Sequence, residues 1–265
     1  MTQGAQPTDG ATPATTGRGK ARKTRHAGDF YSTPPRATQL VASERGIVNH
    51  RRPRLDPSCG DGAILVELHR LGLPQHLLFG IELSAVRAEK ARQRLPGATI
   101  ITGSFFDDDV VRRFLEAVAV VCTTPDGDPD FDIIGNPPFG TDRPPLPSLA
   151  DLFIRRCLEI LPDHGDLDFL LKWGFPQAAT RGTKKIHDLP FLDGVSRSKL
   201  FQQGLGLHLY PIMIDGRLDF RGDGGTDNTP HGWFNWTKGY DGPAPFLLAP
   251  LPGDDSQTSL FGASA

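Results

Sequence analysis

Between residues 29 and 173 the chain alternates short apolar runs with longer stretches whose apolar positions recur at helical spacing. STPPRATQLVASERG, residues 32–46, carries hydroxyls and prolines at its start and a glycine at its end, which predicts a capped helix. RLDPSCGDG predicts a short strand running into a glycine turn, and AILVELHRLG a helix with a glycine stop. LLFGIEL reads as a strand, SAVRAEKARQRL as a helix capped by Ser84, and ATIITGSFF as a third strand. DDDVVRRFLEAVAVV has acidic residues in a first helical turn, where the helix dipole favours them. FDIIG is a strand, LADLFIRRCLEIL an amphipathic helix and DLDFLLKW a further strand. Strands alternating with helices predict an α/β fold with a parallel sheet covered by helices on both faces.

The pattern loosens after Trp173. Residues 174–196 form a long polar loop with Arg181, Lys184, Lys185 and His187, followed by a short helix, RSKLFQQG, and a strand, LHLYPIMI. A glycine-rich loop, 216–232, leads to WFNWTKGY, a candidate last strand. Loops this long within a compact domain are usually functional or disordered. Residues 1–27 are rich in Gly, Thr, Ala and Pro and then turn basic, and residues 241–265 are rich in Pro, Gly and Ser. Neither end has the composition to bury a core. The division expected is therefore a disordered basic arm (1–27), one folded domain (28–240) and a flexible tail (241–265).

Bulk properties narrow the class. The chain has 265 residues, is 38% hydrophobic and carries a net charge of -2, so any nucleic-acid contact must come from local basic patches. Its three cysteines, Cys59, Cys122 and Cys157, form no C-x-x-C pair, which speaks against a zinc site or a disulfide framework and for a reduced, cytoplasmic setting. No apolar run is long enough to span a bilayer, and the polar N-terminus lacks a signal-peptide core.

Four stretches carry candidate chemistry. In DPSCGDG, Asp56, Ser58 and Gly60 lie at the carboxyl end of a strand, where ligands of α/β sheets bind and glycine lets backbone come close. The turn lacks both the dinucleotide glycine spacing and the Lys-Ser/Thr of a phosphate loop. An acid here suits a cationic or hydroxylated ligand. Glu82 ends the next strand about twenty residues on, the place for a carboxylate that bonds ribose hydroxyls. Ser104, Phe105 and Asp107 follow the third strand, where a polar and an apolar side chain can hold a nucleobase; Asp107 also suits a helix N-terminus. Asn136-Pro137-Pro138-Phe139 closes the fourth strand. Two prolines stiffen the turn and fix its carbonyls. A carboxamide oxygen and a backbone carbonyl can grip an amino group conjugated to a ring, while an aromatic ring stacks on its base.

These residues, in this order, resemble an S-adenosylmethionine-dependent DNA N6-adenine methyltransferase of the gamma motif order, and are most similar to the small solitary enzymes of phages and their hosts. The resemblance spans roughly residues 29–240. It implies a Rossmann-like, seven-stranded sheet with a reversed last strand. It also implies that Phe30, Tyr31, Thr33 and Pro34 of DFYSTPP contact the methionine part of the cofactor, that Asp56, Ser58 and Gly60 form the cofactor turn, that Glu82 is the ribose acid and that Asn136 to Phe139 are the catalytic tetrapeptide. Where such enzymes often carry Asp after the third-motif glycine, this chain has Ser104, so bonding to the cofactor adenine falls to Ser104 or Asp107. The target base would flip out and stack on Phe139, opposed by Trp173, Phe175 or Trp233. Trp173, Arg181, Lys184, Lys185 and Trp233 are the candidate DNA contacts, and the 174–196 and 216–232 loops are the only candidates to read sequence. Alternating aromatics such as WFNW are also common in cores.

Methylation of RNA or of a protein glutamine uses similar Asn-Pro-Pro-aromatic turns, and an inactive methyltransferase fold acting as a DNA- or clamp-binding protein is a third possibility. The FYSTPP segment favours DNA. Finally, QTSLF resembles the Gln-x-x-Leu-Phe peptide by which bacterial proteins dock on the sliding clamp, with Gln257, Leu260 and Phe261 as its contacts. A pattern of five residues is also readily met by chance.

Overall fold

A computed structural model describes residues 32–140, 148–176, 200, 211–220, 229–240 and 242. The basic arm, Phe30, Tyr31, Arg181, Lys184, Lys185, the RSKLFQQG segment other than Leu200, and the tail with Gln257, Leu260 and Phe261 lie outside these residues, as do parts of both long loops.

Seven strands form one sheet: β1 (Arg54–Asp56), β2 (Leu78–Glu82), β3 (Thr99–Thr102), β4 (Asp132–Gly135), β5 (Asp166–Lys172), β6 (Ile212–Met213) and β7 (His231–Thr237). Their order across the sheet is β3-β2-β1-β4-β5-β7-β6. β1 to β5 are mutually parallel, and β7 runs antiparallel to both β5 and β6. The chain builds outward from β1 to β3, then returns to β4 on the other side of β1. The carboxyl ends of β1 and β4 thus flank the topological switch point, where open α/β sheets bind ligands.

Five helices complete the layers: α1 (Pro35–Glu44), α2 (Ala63–Arg70), α3 (Ala85–Arg94), α4 (Asp108–Ala119) and α5 (Leu149–Ile160). Alternate strand residues face opposite ways, so each strand feeds two cores. Leu55, Phe79, Ile133, Phe169 and Phe234 pack with α4 and α5 through Phe114, Phe153 and Ile154. Leu78, Ile134, Leu170 and Trp233 pack with α1, α2 and α3 through Val41, Leu65 and Ala88. This double burial is why β2, β4 and β5 carry apolar residues at successive positions rather than in strict alternation. Among the described residues no helix is long and apolar enough to cross a membrane.

Two capping expectations need correction. Pro34 occupies the N-cap of α1 and Ser84 that of α3, and neither start has a side-chain cap bond. The Thr33 hydroxyl instead accepts from Asn136, and the Ser84 backbone N–H donates to Glu82. Both N-terminal polar groups are drawn into the ligand end of the sheet. The LHLYPIMI strand is only two residues long where it is described, Ile212–Met213.

Candidate functional site

The first wall of the site is the turn after β1. Asp56 Oδ1 accepts from the Ser58 N–H at 3.1 Å, folding the chain back at Pro57. The Cys59 N–H then extends the β1–β2 pairing onto the Ile81 carbonyl at 3.0 Å. Gly60 and Gly62 have φ of 57° and 83°, a region that costs other residues strain. A Cβ on Gly80 would lie 2.7 Å from Cys59 Sγ, so a glycine in β2 is what lets the turn settle against the sheet.

Glu82 ties that turn to β2. Its Oε2 accepts from the Gly60 N–H at 2.9 Å, and its Oε1 accepts from the Ser84 N–H at 2.8 Å and from Arg87 Nε at 2.9 Å. A carboxylate offers about four acceptor positions. Both oxygens are engaged, with Arg87 Nη2 also 2.9 Å from Oε1, so the residue expected to hold a ribose also fixes the glycine turn. Asp56 lies nearby and is fully buried, and its pKa is raised to about 7 by burial, then lowered by the Ser58 N–H bond and raised by the Glu82 charge.

The second wall is the turn after β4. A Cβ on Gly135 would sit 3.0 Å from the Phe169 ring and 3.2 Å from Asp56 Oδ1, so the glycine that precedes Asn136 is what lets β4 end close against the β1 acid. Asn136 Nδ2 donates to Thr33 Oγ1 at 3.1 Å. Its Oδ1 is buried with no hydrogen-bond partner, as is Ser58 Oγ. Unpaired buried polar atoms cost about 1–3 kcal/mol each. Two of them on facing turns fit a polar ligand that carries N–H or O–H groups. Pro137 is buried, and Pro138 and Phe139 are half-buried. Lys172 Nζ lies 5.5 Å from the centre of the Phe139 ring, and the His231 ring lies 6.1 Å away.

The third stretch is assembled differently from expectation. Phe105 is buried and stacks on Phe153 with centroids 5.4 Å apart, so its ring belongs to the core and is not open to a nucleobase. Ser104 Oγ accepts from the Phe106 N–H at 3.2 Å, and Asp107 caps α4 by accepting from the Asp109 N–H at 2.9 Å. Among the aromatics considered for the far side of a flipped base, Trp233 is fully buried and its Nε1 donates to the Ala37 carbonyl at 2.9 Å. Trp233 therefore anchors α1 to the sheet and presents no surface to DNA. Phe175 is also core, at 6% exposure. Trp173 is half-buried, its ring 5.7 Å from that of Phe234.

Two residues were missed by the sequence reading. Leu83, immediately after Glu82, is 72% exposed, a large apolar side chain left uncovered at the rim of the site. Its signal was the apolar residue outlasting the strand on the ligand side. Lys172, at the end of β5, gave no sequence signal because its nearness to Phe139 comes from the pairing of β4 with β5. Among the described residues no group of three or more His, Cys, Asp or Glu side chains could hold a metal ion.

The strand order and the single reversed strand are those of the Rossmann-like class I methyltransferase fold. Solved structures that share it include the methyltransferase subunit of a type I restriction-modification system from Streptococcus thermophilus, at a TM-score of 0.51 and 18% identity over 82% of this chain and 46% of that one. A protein assigned as an RNA methyltransferase from Pyrococcus horikoshii matches at a TM-score of 0.50 and 14% identity over 83% of this chain and 92% of that one. A protein assigned as a class I methyltransferase from Listeria monocytogenes matches at a TM-score of 0.49 and 14% identity over 83% of this chain. This chain spans only 63% of the Listeria protein and 46% of the Streptococcus one. No protein-family model matches the chain, and no curated protein matches it in sequence.

Proposed function

We propose that the protein transfers the methyl group of S-adenosylmethionine to the N6 amino group of adenine in DNA. The observation that carries this reading is Asn136 Oδ1, a buried acceptor without a partner, in the Asn-Pro-Pro-Phe turn that closes β4 at the switch point. A lone acceptor in that place calls for an N–H donor from a substrate.

Asp56, Ser58, Gly60, Glu82 and Leu83 are the residues that would hold the cofactor. The orphaned Ser58 Oγ and the close backbone approach at Gly60 support that fit. Ser104 or Asp107 would bond its adenine, and Thr33 and Pro34, with Phe30 and Tyr31 ahead of them, would meet its methionine end. Bound, the cofactor supplies an electrophilic methyl on a sulfonium. The chain's own residues do the rest. Asn136 Oδ1 and the Pro137 carbonyl accept the two amino hydrogens of the base, which favours a tetrahedral nitrogen with its lone pair available. Phe139 stacks on the ring, and Trp173 is the remaining aromatic to oppose it. The amino nitrogen forms the new N–C bond as the C–S bond breaks, sulfur keeps the electron pair, and the extra proton leaves to solvent. Alignment supplies most of the acceleration, since no covalent enzyme intermediate is needed.

The fold serves RNA and DNA enzymes alike, so the choice of DNA rests on the FYSTPP segment leading into α1. Asn136→Ala should lower kcat by at least about a hundredfold, in line with loss of a preorganised hydrogen-bonding group in a catalytic site, and leave cofactor affinity by calorimetry nearly unchanged. Mass spectrometry and modified-base sequencing of nucleic acids from cells expressing the chain should show N6-methyladenine in DNA. Methylation confined to RNA, or wild-type turnover by the alanine variant, would overturn the reading.

A further inference from the structure

The Asn136 carboxamide has an unusual partner. Its Nδ2 is 3.1 Å from Thr33 Oγ1, a residue 103 positions earlier in the chain. Thr33 is 5% exposed and precedes the N-cap of α1. Sequence similarity implies only that Thr33 touches the cofactor. Its hydroxyl does something else besides.

We propose that Thr33 is the positioning residue for the Asn136 carboxamide, holding Nδ2 so that Oδ1 is the atom presented to the target amino group; this rests on the catalytic role proposed for Asn136. A carboxamide is nearly symmetric in shape, and its two ends differ only in hydrogen bonding. Turned by 180°, it would put an NH2 against the substrate NH2, donor against donor, and the acceptor would be lost. The turn itself does not prevent this, because Pro137 and Pro138 stiffen the backbone and leave the side-chain amide free to rotate. The Thr33 hydroxyl gives the amide a fixed hydrogen-bonding partner on one side, and in the geometry found here it accepts from Nδ2. The orientation with Nδ2 on Thr33 leaves Oδ1 buried and without a partner, which is the state a substrate amine completes.

Thr33 is itself held firmly. Helix α1, which begins two residues later, is fastened by the Trp233 indole on the Ala37 carbonyl at 2.9 Å and by Gln39 Nε2 on Glu67 Oε1 at 2.8 Å. Pro34 and Pro35 restrict the backbone between Thr33 and the helix. The hydroxyl is therefore a fixed point against which the amide is set. A cap bond to α1 would have taken the same hydroxyl away, and the helix starts without one.

The test compares Thr33→Val, which keeps the shape and removes the hydroxyl, with Thr33→Ser, which keeps the hydroxyl. Turnover is measured at saturating S-adenosylmethionine on the adenine-containing DNA the wild type methylates, and cofactor Kd is measured by calorimetry. Thr33→Val should lose about tenfold or more in kcat at saturation, and Thr33→Ser should stay within about threefold of wild type, the difference expected for one hydrogen bond of about 1.5 kcal/mol. A Thr33→Val enzyme with wild-type kcat and a raised Kd would show a cofactor contact alone and overturn the inference, as would equal losses in the serine and valine variants. Asn136→Ala is measured beside them. If it turns over as wild type, the catalytic reading falls. If it is inactive while Thr33→Val is not impaired, only the positioning role falls.

Discussion

Glu82 shows how one side chain can serve two ends at once. A carboxylate that accepts from Gly60, Ser84 and Arg87 shapes the glycine turn, opens α3 and keeps one remaining acceptor position on Oε2. Replacing it with glutamine keeps the size and puts an NH2 where one of the backbone N–H groups now donates. Loss of a charged hydrogen bond of about 1.5–3 kcal/mol predicts that Glu82→Gln raises the S-adenosylmethionine Kd by roughly ten- to a hundredfold, read by calorimetry, with kcat at saturation much less affected. Unchanged affinity would mean that Glu82 is purely a scaffold. The sequence pointed to Glu82, Asp56 and Asn136 because strand ends with an acid or an amide beside glycines have few structural uses. It misassigned Phe105, whose ring looks the same in sequence whether it turns to a base or to Phe153. It could not suggest the Asn136–Thr33 bond, since nothing local joins residues so far apart.

At the level of elements, the turn after β1 depends on the glycine opposite it in β2. Gly80→Ala would drive a methyl to 2.7 Å from Cys59 Sγ and 2.9 Å from Ile100 Cδ1. Overpacking of this kind costs about 1–3 kcal/mol, so the variant should melt earlier and bind cofactor less tightly as the turn is pushed away. Cys59→Ala in the same chain removes the sulfur and should recover more than half of the lost stability by chemical denaturation; no recovery would place the strain elsewhere. Alternating strands and helices were readable because double-sided burial puts apolar residues at successive positions of β2, β4 and β5. The helix starts were harder. Hydroxyls before α1 and α3 suit caps by local rules, yet neither caps its helix, and the Thr33 hydroxyl is taken by Asn136 instead. Trp233 and its neighbours carried the same ambiguity, because a strand buried on both faces reads like one lining a pocket, and only the register of β7 against β5 decides it.

Across the whole molecule, buried acids set the response to pH. Asp168, in β5, is 1% exposed, lies 3.5 Å from Arg45 Nε and accepts from Asn235 Nδ2 at 3.2 Å. Burial raises its pKa to about 7, against the pull of Arg45 and Arg54. In the unfolded chain the same carboxyl titrates near about 3.9. Between those values the folded state holds a proton that the unfolded state has released, so the contribution of Asp168 to stability falls as pH rises from about 4 to about 7 and is level above. Asp168→Asn removes that slope. Denaturation of wild type and variant at pH 5 and pH 8 should show the variant gaining on the wild type at the higher pH; parallel profiles would count against burial as the cause. Asp56 adds to the same trend in both proteins.

The reversed strand also has a consequence for the order of events during synthesis. β7 pairs with β5 along its whole length, from Asp166 with Thr237 to Lys172 with His231, and stands between β5 and β6. When β5 leaves the ribosome its outer edge has no neighbour, and the strand that covers it follows roughly sixty residues later. At about 5–20 residues per second, an adhesive row of backbone donors and acceptors stays open for several seconds. The nascent protein thus passes through a stage at which its central sheet is nearly complete and still able to recruit a stray strand, and β7, the last strand among the described residues, is the one that ends this exposure.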